Sequence, residues 1–401
     1  MESSKKRAYI INSIAILILY GGVLGVSSSQ ILGRYYEGIL VFACINTIMA
    51  VSLNLTTGCL GQIALGHAGF MSVGAYGSAI FTKFWVEQLT APPYVGYAIG
   101  LLLGGLIAAA FGLLIGLPAL RLKGDYLAII TLGFGEIIRV IIENTPGLVK
   151  LTGGAQGLPG VVPKLTKLPI AAAICIFTVM ILFTMMKSRH GRAILSIRED
   201  DIAAESSGIR TTYYKTLAFT AAAFFAGIAG GLYGHFTTFK ATNFNFNKSI
   251  EFLIIVVLGG LGSFTGSIFS AFFLAILPEV LRSFSDHRML VYSAALILIM
   301  IFKPSGIFGT YEISIVRSIQ YWKDVFTGKR MPFASLIEKI KKTGQGTTSV
   351  WKKILKYWKE VFTGKRVPFA SLTGKNKKTE RAATVASERA KKDSGKERDD
   401  G

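Results

Sequence analysis

Gln62 and His67 are two polar residues that could carry functional chemistry. They lie within residues 58–77, GCLGQIALGHAGFMSVGAYG, a segment made mostly of apolar and small residues. Such groups must face protein or a water-filled path, because lipid cannot satisfy their hydrogen bonds. They therefore either hold helices together or, with Gly66 beside them, line the entry to a translocation path. The glycines, alanines and serines around them recur every few residues, so on a helix they form a flat face for close packing.

Glu136 and Arg139 are a second candidate for chemistry within an apolar block. An acid in a membrane helix is typical of a proton or cation relay. The two residues are three apart, so on a helix they share a face and neutralise each other. The ion pair is the favoured interpretation, and the relay is its alternative.

A polar insert, SRHGRAILSIREDDIAAESSGI at residues 188–209, separates two apolar blocks. Ser196 and Glu199 have the spacing of a capping box, which predicts a short helix that starts at Ile197, and Gly208 can end it in the left-handed conformation. A helix this short is marginal in water, so we expect another protein to dock on it. Charges of both signs are available to such a partner: Arg192, Arg198, Glu199, Asp200 and Asp201. The alternative is an ordinary solvated loop.

A glycine-dense turn, VLGGLGSFTG, covers residues 257–266 and includes Gly259, Gly260 and Gly262. Glycine permits positive φ and a close backbone approach. Backbone groups freed at such a break can bind a zwitterion in a transporter. The other interpretation is a tight cytoplasmic hairpin, and the sequence favours neither.

Motifs that would give the chain its own catalytic chemistry are missing. None of the Gly-Lys pairs completes the phosphate-binding pattern GxxxxGK[ST], and none of the four histidines stands in an HExxH pattern. We therefore expect neither enzymatic activity nor a cofactor or metal site, and any ATP-driven mechanism needs a motor on another chain. The three cysteines, Cys44, Cys59 and Cys175, are predicted to be small buried hydrophobes.

Long apolar blocks must position these residues. The 401-residue chain is 51% apolar and only 17% charged. Its blocks lie at about 8–26, 36–57, 64–83, 94–117, 126–143, 168–187, 213–236, 251–264, 265–281 and 290–303. A crossing needs about 20 residues, so the short or glycine-interrupted blocks suggest half-helices. This predicts an all-α polytopic transmembrane bundle with about 8–10 membrane segments, some of them discontinuous or re-entrant. The first helix is predicted to remain uncleaved, and both termini are predicted to lie in the cytoplasm.

The transmembrane domain is predicted to span 1–309, followed by a basic cytoplasmic tail at 310–401. The tail holds 22 Lys and Arg against 10 Asp and Glu, part of a formal net charge of +21. Residues 321–336 and 357–372 match at fourteen of sixteen positions, and each copy mixes aromatic and basic residues. Such copies suit an anionic membrane surface or have no dedicated role. No module that reads nucleic acid accompanies the charge, so no nucleic-acid partner is expected. The C-terminal end, 373–401, is predicted to be disordered.

Taken in order, six segments resemble the branched-chain amino acid ABC importer permeases of the LivM type. They are GQIALGHAGFMSVGAY (61–76), RLKGDYLAIITLGFGEIIR (121–139), LTGGAQGL (151–158), GRAILSIREDDIAAESSGI (191–209), VLGGLGSFTG (257–266) and KPSGIFG (303–309). The resemblance implies an alternating-access permease in the cell inner membrane. It also implies four kinds of partner: a related second permease, two cytoplasmic ABC ATPases, an extracytoplasmic substrate-binding protein and the lipid bilayer. The implied substrates are leucine, isoleucine and valine.

The resemblance also implies that residues 191–209, from Gly191 onward, form the helix that couples to the ATPases. Ala203 and Ala204 keep the family's register with Gly208, but Ile202 stands where importers of this kind carry Glu. Ser267 stands where a proline is expected. The alternatives are an ion-coupled secondary transporter that uses Glu136, or a permease of the same family for urea or short amides.

Overall fold

A computed structural model describes residues 20–25, 27, 33–88, 92–120, 122, 124–145, 152–158, 164–282, 288–303, 306–309 and 312. Within these ranges the regular structure is helical and no strand occurs, so the predicted all-α class is confirmed. The helices are α1 (Arg34–Asn54), α2 (His67–Gln88), α3 (Pro93–Ala119), α4 (Asp125–Asn144), α5 (Leu168–Lys187), α6 (Arg189–Glu199), α7 (Asp201–Ser206), α8 (Thr211–Gly234), α9 (Phe246–Gly259), α10 (Phe264–Val280) and α11 (Arg288–Phe302). A π-helical turn, Leu55–Cys59, continues α1, and two 3₁₀ turns lie at Gly154–Gln156 and Ala241–Phe244.

Four described helical segments are long and apolar enough to cross a membrane: Arg34–Cys59, Pro93–Ala119, Leu168–Lys187 and Thr211–Gly234. The shorter helix Phe264–Val280 is apolar as well. Together they confirm a polytopic helical membrane protein. The predicted first span, apart from a few helical residues at 20–25, lies outside the described residues, and so does the duplicated tail.

Helix α8 lies at the centre of the bundle and packs against α2 and α3, which also pack against each other. Small residues make these contacts possible. A side-chain carbon at Gly74 would collide with the backbone of Gly227, and one at Gly230 would collide with the backbone around Met71. In lipid, helices associate through such close packing rather than through the hydrophobic effect, so the glycines of this sequence build the core.

Residues 58–77 contain the break between the predicted apolar blocks 36–57 and 64–83. The π-helical turn ends at Cys59, residues 60–66 are non-helical, and α2 begins only at His67. Gly61 adopts a φ of +76°, which a residue with a Cβ adopts only under strain. The apolar segment is therefore broken between α1 and α2.

Candidate functional site

The polar insert at 188–209 folds into two short helices at one end of the bundle. Ser188 caps α6, since its Oγ accepts hydrogen bonds from His190 N at 3.2 Å and Gly191 N at 3.4 Å. Asp200 caps α7, where its Oδ1 accepts from the backbone N of Ile202 at 2.9 Å and of Ala203 at 3.0 Å. Each cap satisfies amide groups that the first turn of a helix leaves free.

The predicted capping box is wrong. Ser196 lies within α6, and its Oγ donates to Ala193 O at 2.8 Å. The helix begins earlier because α6 directly follows α5 and must bury both Ile194 and Ile197 against the bundle. The predicted left-handed stop at Gly208 is confirmed, with a φ of +84°.

One face of α6–α7 is attached to the membrane bundle of the same chain. Arg198 donates from Nη1 to the carbonyl oxygen of Gly58 at 2.9 Å. Lys215 Nζ, a largely buried group on α8, pairs with Asp201 Oδ2 at 2.6 Å. Two of the charges expected to meet a partner are thus used internally, and Ala204 is buried on the same face.

The opposite face of α6–α7 is exposed. Arg192, Glu199 and Ala203 lie on it. Two large apolar side chains of the unit are exposed as well, Ile202 at 75% and Leu195 at 38%. Gly191 is buried where α6 leaves α5, and a side-chain carbon there would collide with the Met186 backbone. The unit therefore has a fixed inner face and a free outer surface of mixed charge with exposed apolar side chains.

The glycine turn lies next to α6. Gly260 has a φ of +113° and Gly262 a φ of +90°, and Gly260 packs so closely on Gly306 and Gly309 that a Cβ would not fit. Backbone hydrogen bonds join the same segments, from Ile307 N to Leu258 O at 2.8 Å and from Phe308 N to Gly259 O at 3.2 Å. The turn is thus a tight hairpin whose backbone groups bond within the chain.

Glu312 adds a side-chain cap to this hairpin. Its carboxylate accepts from Phe264 N and, at 2.7 Å, from Thr265 Oγ1. An acid is stabilised at the N-terminus of a helix, where free amides and the helix dipole meet it. The segment after α11 is therefore held against the start of α10.

Sequence reasoning missed Asn54, which is fully buried at the end of α1. Its Nδ2 donates to Ser263 O at 2.9 Å and to Ser267 Oγ at 3.0 Å. Its Oδ1 accepts from Gly262 N at 2.8 Å. A single asparagine in an apolar run has no spacing that would identify it, and its partners are more than 200 residues away.

Gln62, Gly66 and His67 lie at the break between α1 and α2. His67 is buried and its Nε2 lies 2.9 Å from Ser52 Oγ, whereas Gly66 packs on the Thr131 carbonyl with no room for a Cβ. The Gln62 Oε1 atom is buried and accepts no hydrogen bond from the described residues. Gly66 and His67 are thus held by partners different from those of the glycine turn.

Glu136 belongs to an ion-pair chain on α4. Arg139 bonds to Glu136 at 2.7 Å and to Glu143 at 2.9 Å. The second Glu136 oxygen accepts from Phe246 N at 2.9 Å, at the start of α9. Both carboxylate oxygens are thus occupied, which favours the ion pair over a relay. The three cysteines are free and buried, as predicted.

These features define a polytopic helical membrane protein with a short, capped helical unit on one end of its bundle. The chain belongs to the family of branched-chain amino acid transport system permease components, whose model matches residues 35–302.

Several characterised relatives carry the same designation. The chain is 32% identical, over 71% of its length and 72% of the relative's, to the high-affinity branched-chain amino acid transport system permease proteins LivM of Salmonella typhimurium and Escherichia coli. It is 25% identical to the permease protein LivH of Salmonella typhimurium, over 67% of this chain and 92% of that one. No solved structure matches the chain.

Proposed function

We propose that this chain is one membrane-spanning permease subunit of an ATP-driven importer that moves leucine, isoleucine or valine across the cell inner membrane. The observation that carries the proposal is the two-faced unit α6–α7. Arg198 and Asp201 attach it to the bundle, while Ile202 and its charged neighbours are exposed on the other side. A docking element needs both faces, one to receive a partner and one to transmit its motion.

The proposed partners are a second, related permease, two cytoplasmic ABC ATPases and an extracytoplasmic substrate-binding protein. Support for the second permease comes from the similarity of this chain to both LivM and LivH. An ATP-driven mechanism would take its ATPases from other chains, because no phosphate-binding loop occurs in the sequence. The ATPases would grip the exposed face of α6–α7 from the cytoplasm.

The proposed orientation has both termini in the cytoplasm. Alternation of the spans then assigns the end of α1, the unit α6–α7, the α9–α10 turn and the segment after α11 to the cytoplasmic side. Contacts among Gly58, Arg198, Gly260 and Gly306 join these same four segments, which supports the assignment. Segments on opposite sides of a bilayer could not touch.

In the proposed mechanism, closure of the ATPases displaces α6–α7, and Arg198 carries the displacement to the π-helical turn after α1. The bundle then alternates between inward-facing and outward-facing states. We place the substrate path at the broken segment with Gln62, Gly66 and His67, because breaks of this kind form substrate sites in transporters and the Gln62 Oε1 atom bonds to none of the described residues. Gly259, Gly260 and Gly262 are proposed to act at its cytoplasmic end, where the hairpin moves with α1.

Co-purification tests the docking face. The complex is assembled from tagged permease and its cognate ATPases, and Ile202→Ala is compared with Ile129→Ala, a similarly exposed isoleucine on α4. Burial of an isoleucine at an interface contributes about 1.5–3 kcal/mol, so we expect ATPase binding to weaken about tenfold or more for Ile202→Ala only. Equal retention of the ATPases by both variants would refute the docking role.

Uptake by the assembled complex tests the substrate class. Labelled leucine, isoleucine and valine are supplied with the binding protein, and urea and acetamide are supplied as competitors in excess. We expect the three amino acids to compete with one another and the two amides to have no effect. Uptake that urea or acetamide inhibits would favour the amide alternative.

A further inference from the structure

Asn54 connects the end of α1 to the start of α10 in the buried interior. Its side chain is 0% exposed and makes three hydrogen bonds, two as donor and one as acceptor. All three go to Gly262, Ser263 and Ser267, which form the hairpin after α9 and the first turn of α10. A primary amide has two donor hydrogens and one carbonyl oxygen, so both hydrogens are used and the oxygen is engaged.

Gly58 joins this cluster to the docking unit. A side-chain carbon at Gly58 would collide with the Asn54 side chain and with Gly262 N, so the three groups are in direct contact. The carbonyl oxygen of the same glycine accepts the Arg198 hydrogen bond at 2.9 Å. A continuous path therefore runs from Arg198 on α6, through Gly58 and Asn54, to the α9–α10 hairpin, and Arg198 also lies directly against Gly262 of that hairpin.

The hydrogen bonds make this path stiff. Separation of α1 from the hairpin would leave the buried Asn54 amide and the Gly262 amide without these hydrogen bonds, which is costly where water cannot replace them. Ser263 O and Ser267 Oγ would keep the hydrogen bond that joins them. Small residues contribute as well, because Gly58 and Gly262 let the backbones touch. The end of α1 and the hairpin must therefore move together when α6 moves.

We propose that Asn54 is a positioning residue for energy coupling: it makes the α9–α10 hairpin follow a displacement that α6 delivers at Gly58. The inference rests on the proposed function, because it needs ATPases that move α6. It goes further by naming the residue that transmits the movement to the α9–α10 hairpin. Asn54 contacts neither nucleotide nor substrate in this proposal.

The test is the number of ATP molecules hydrolysed per leucine taken up by the complete complex in proteoliposomes. Asn54→Ala removes all three hydrogen bonds, and Ser267→Ala removes one of them. Ser270→Ala is the matched control, since Ser270 is a buried serine on the same helix whose Oγ bonds to none of the described residues. Asn54→Gln keeps the amide but displaces it by one methylene.

We expect the ratio to rise about tenfold for Asn54→Ala and severalfold for Ser267→Ala and Asn54→Gln, within the usual range of coupling between two sites. Ser270→Ala should keep the wild-type ratio. The half-saturating leucine concentration should change little, since the residue binds no substrate. A purely structural residue would instead lower the yield of complex without changing the ratio in the complexes that form.

A wild-type ratio in assembled Asn54→Ala or Ser267→Ala complexes would overturn the proposal. If Asn54→Ala does not assemble, the Ser267→Ala ratio decides the question alone. Failure of the proposed function has a different signature, because wild-type complexes would then show no ATP-dependent leucine uptake at all.

Discussion

Replacement of Arg198 by alanine tests how the docking unit is attached to the bundle. The guanidinium makes one charge-assisted hydrogen bond to the Gly58 carbonyl, and its stem packs against Gly61. Removal of the donor leaves a buried carbonyl oxygen without this partner, which costs about 1–3 kcal/mol. Because the guanidinium is only half-buried, water replaces part of the loss, and we take about 1.5 kcal/mol.

That free energy corresponds to about a tenfold change in the equilibrium between attached and detached α6. A detached α6 still offers its outer face to the ATPases but no longer pulls on α1. We therefore expect Arg198→Ala complexes to assemble and hydrolyse ATP, while leucine uptake per ATP falls by up to about tenfold. Arg198→Lys keeps the positive charge but lacks the planar guanidinium, so its leucine uptake per ATP should lie between those of the wild type and Arg198→Ala.

The assay measures ATP hydrolysis and leucine uptake in the same proteoliposomes, with ATPase content determined on a gel. Arg192→Ala is the contrasting variant, because Arg192 lies on the exposed face and should reduce ATPase binding rather than coupling. Wild-type uptake per ATP in Arg198→Ala, or loss of the ATPases from that complex, would refute the reasoning that Arg198 acts on the face of α6 that contacts the bundle.

Three further predictions follow from the described contacts. Gly66→Ala should destabilise the protein by about 1–3 kcal/mol, because no space exists for a methyl group. Gly133→Ala should not destabilise the protein, because Gly133 faces open space on α4. Thermal unfolding in detergent measures the stability of both variants. Lys215→Met leaves Asp201 without its ion-pair partner, so the amide hydrogens of α7 should exchange about tenfold faster with solvent. Hydrogen-exchange mass spectrometry measures this rate, and an unchanged rate would contradict the role of Lys215 in holding α7. Glu136→Gln should keep at least half of the wild-type uptake, since the residue is structural, and abolished uptake would favour an ion relay instead.

Much of the fold could be predicted from the sequence because the lipid bilayer imposes a simple pattern. Long apolar blocks near 36–57, 94–117 and 213–236 correspond to the spans Arg34–Cys59, Pro93–Ala119 and Thr211–Gly234. The left-handed glycine after α7 was also predictable, since Gly208 follows a polar helical segment directly. In both cases the signal is local in the sequence.

Features that depend on distant contacts could not be predicted. The apolar blocks 36–57 and 64–83 indicated an interruption between them, but not that residues 60–66 are non-helical or which partners the two flanks contact. The capping-box spacing at Ser196 was misleading because burial of Ile194 and Ile197 requires an earlier helix start. Arg198 was expected to meet a partner, and only the fold brings Gly58 within its reach, 140 residues away.

Uptake of labelled leucine into proteoliposomes tests most directly whether foreign ATPases move this bundle. Vesicles contain the two permeases with or without the ATPases, and each preparation is measured with ATP, without ATP and with a protonophore. We expect uptake only when ATPases, ATP and binding protein are all present, with no effect of the protonophore. Uptake that continues without the ATPases and collapses with the protonophore would contradict the account.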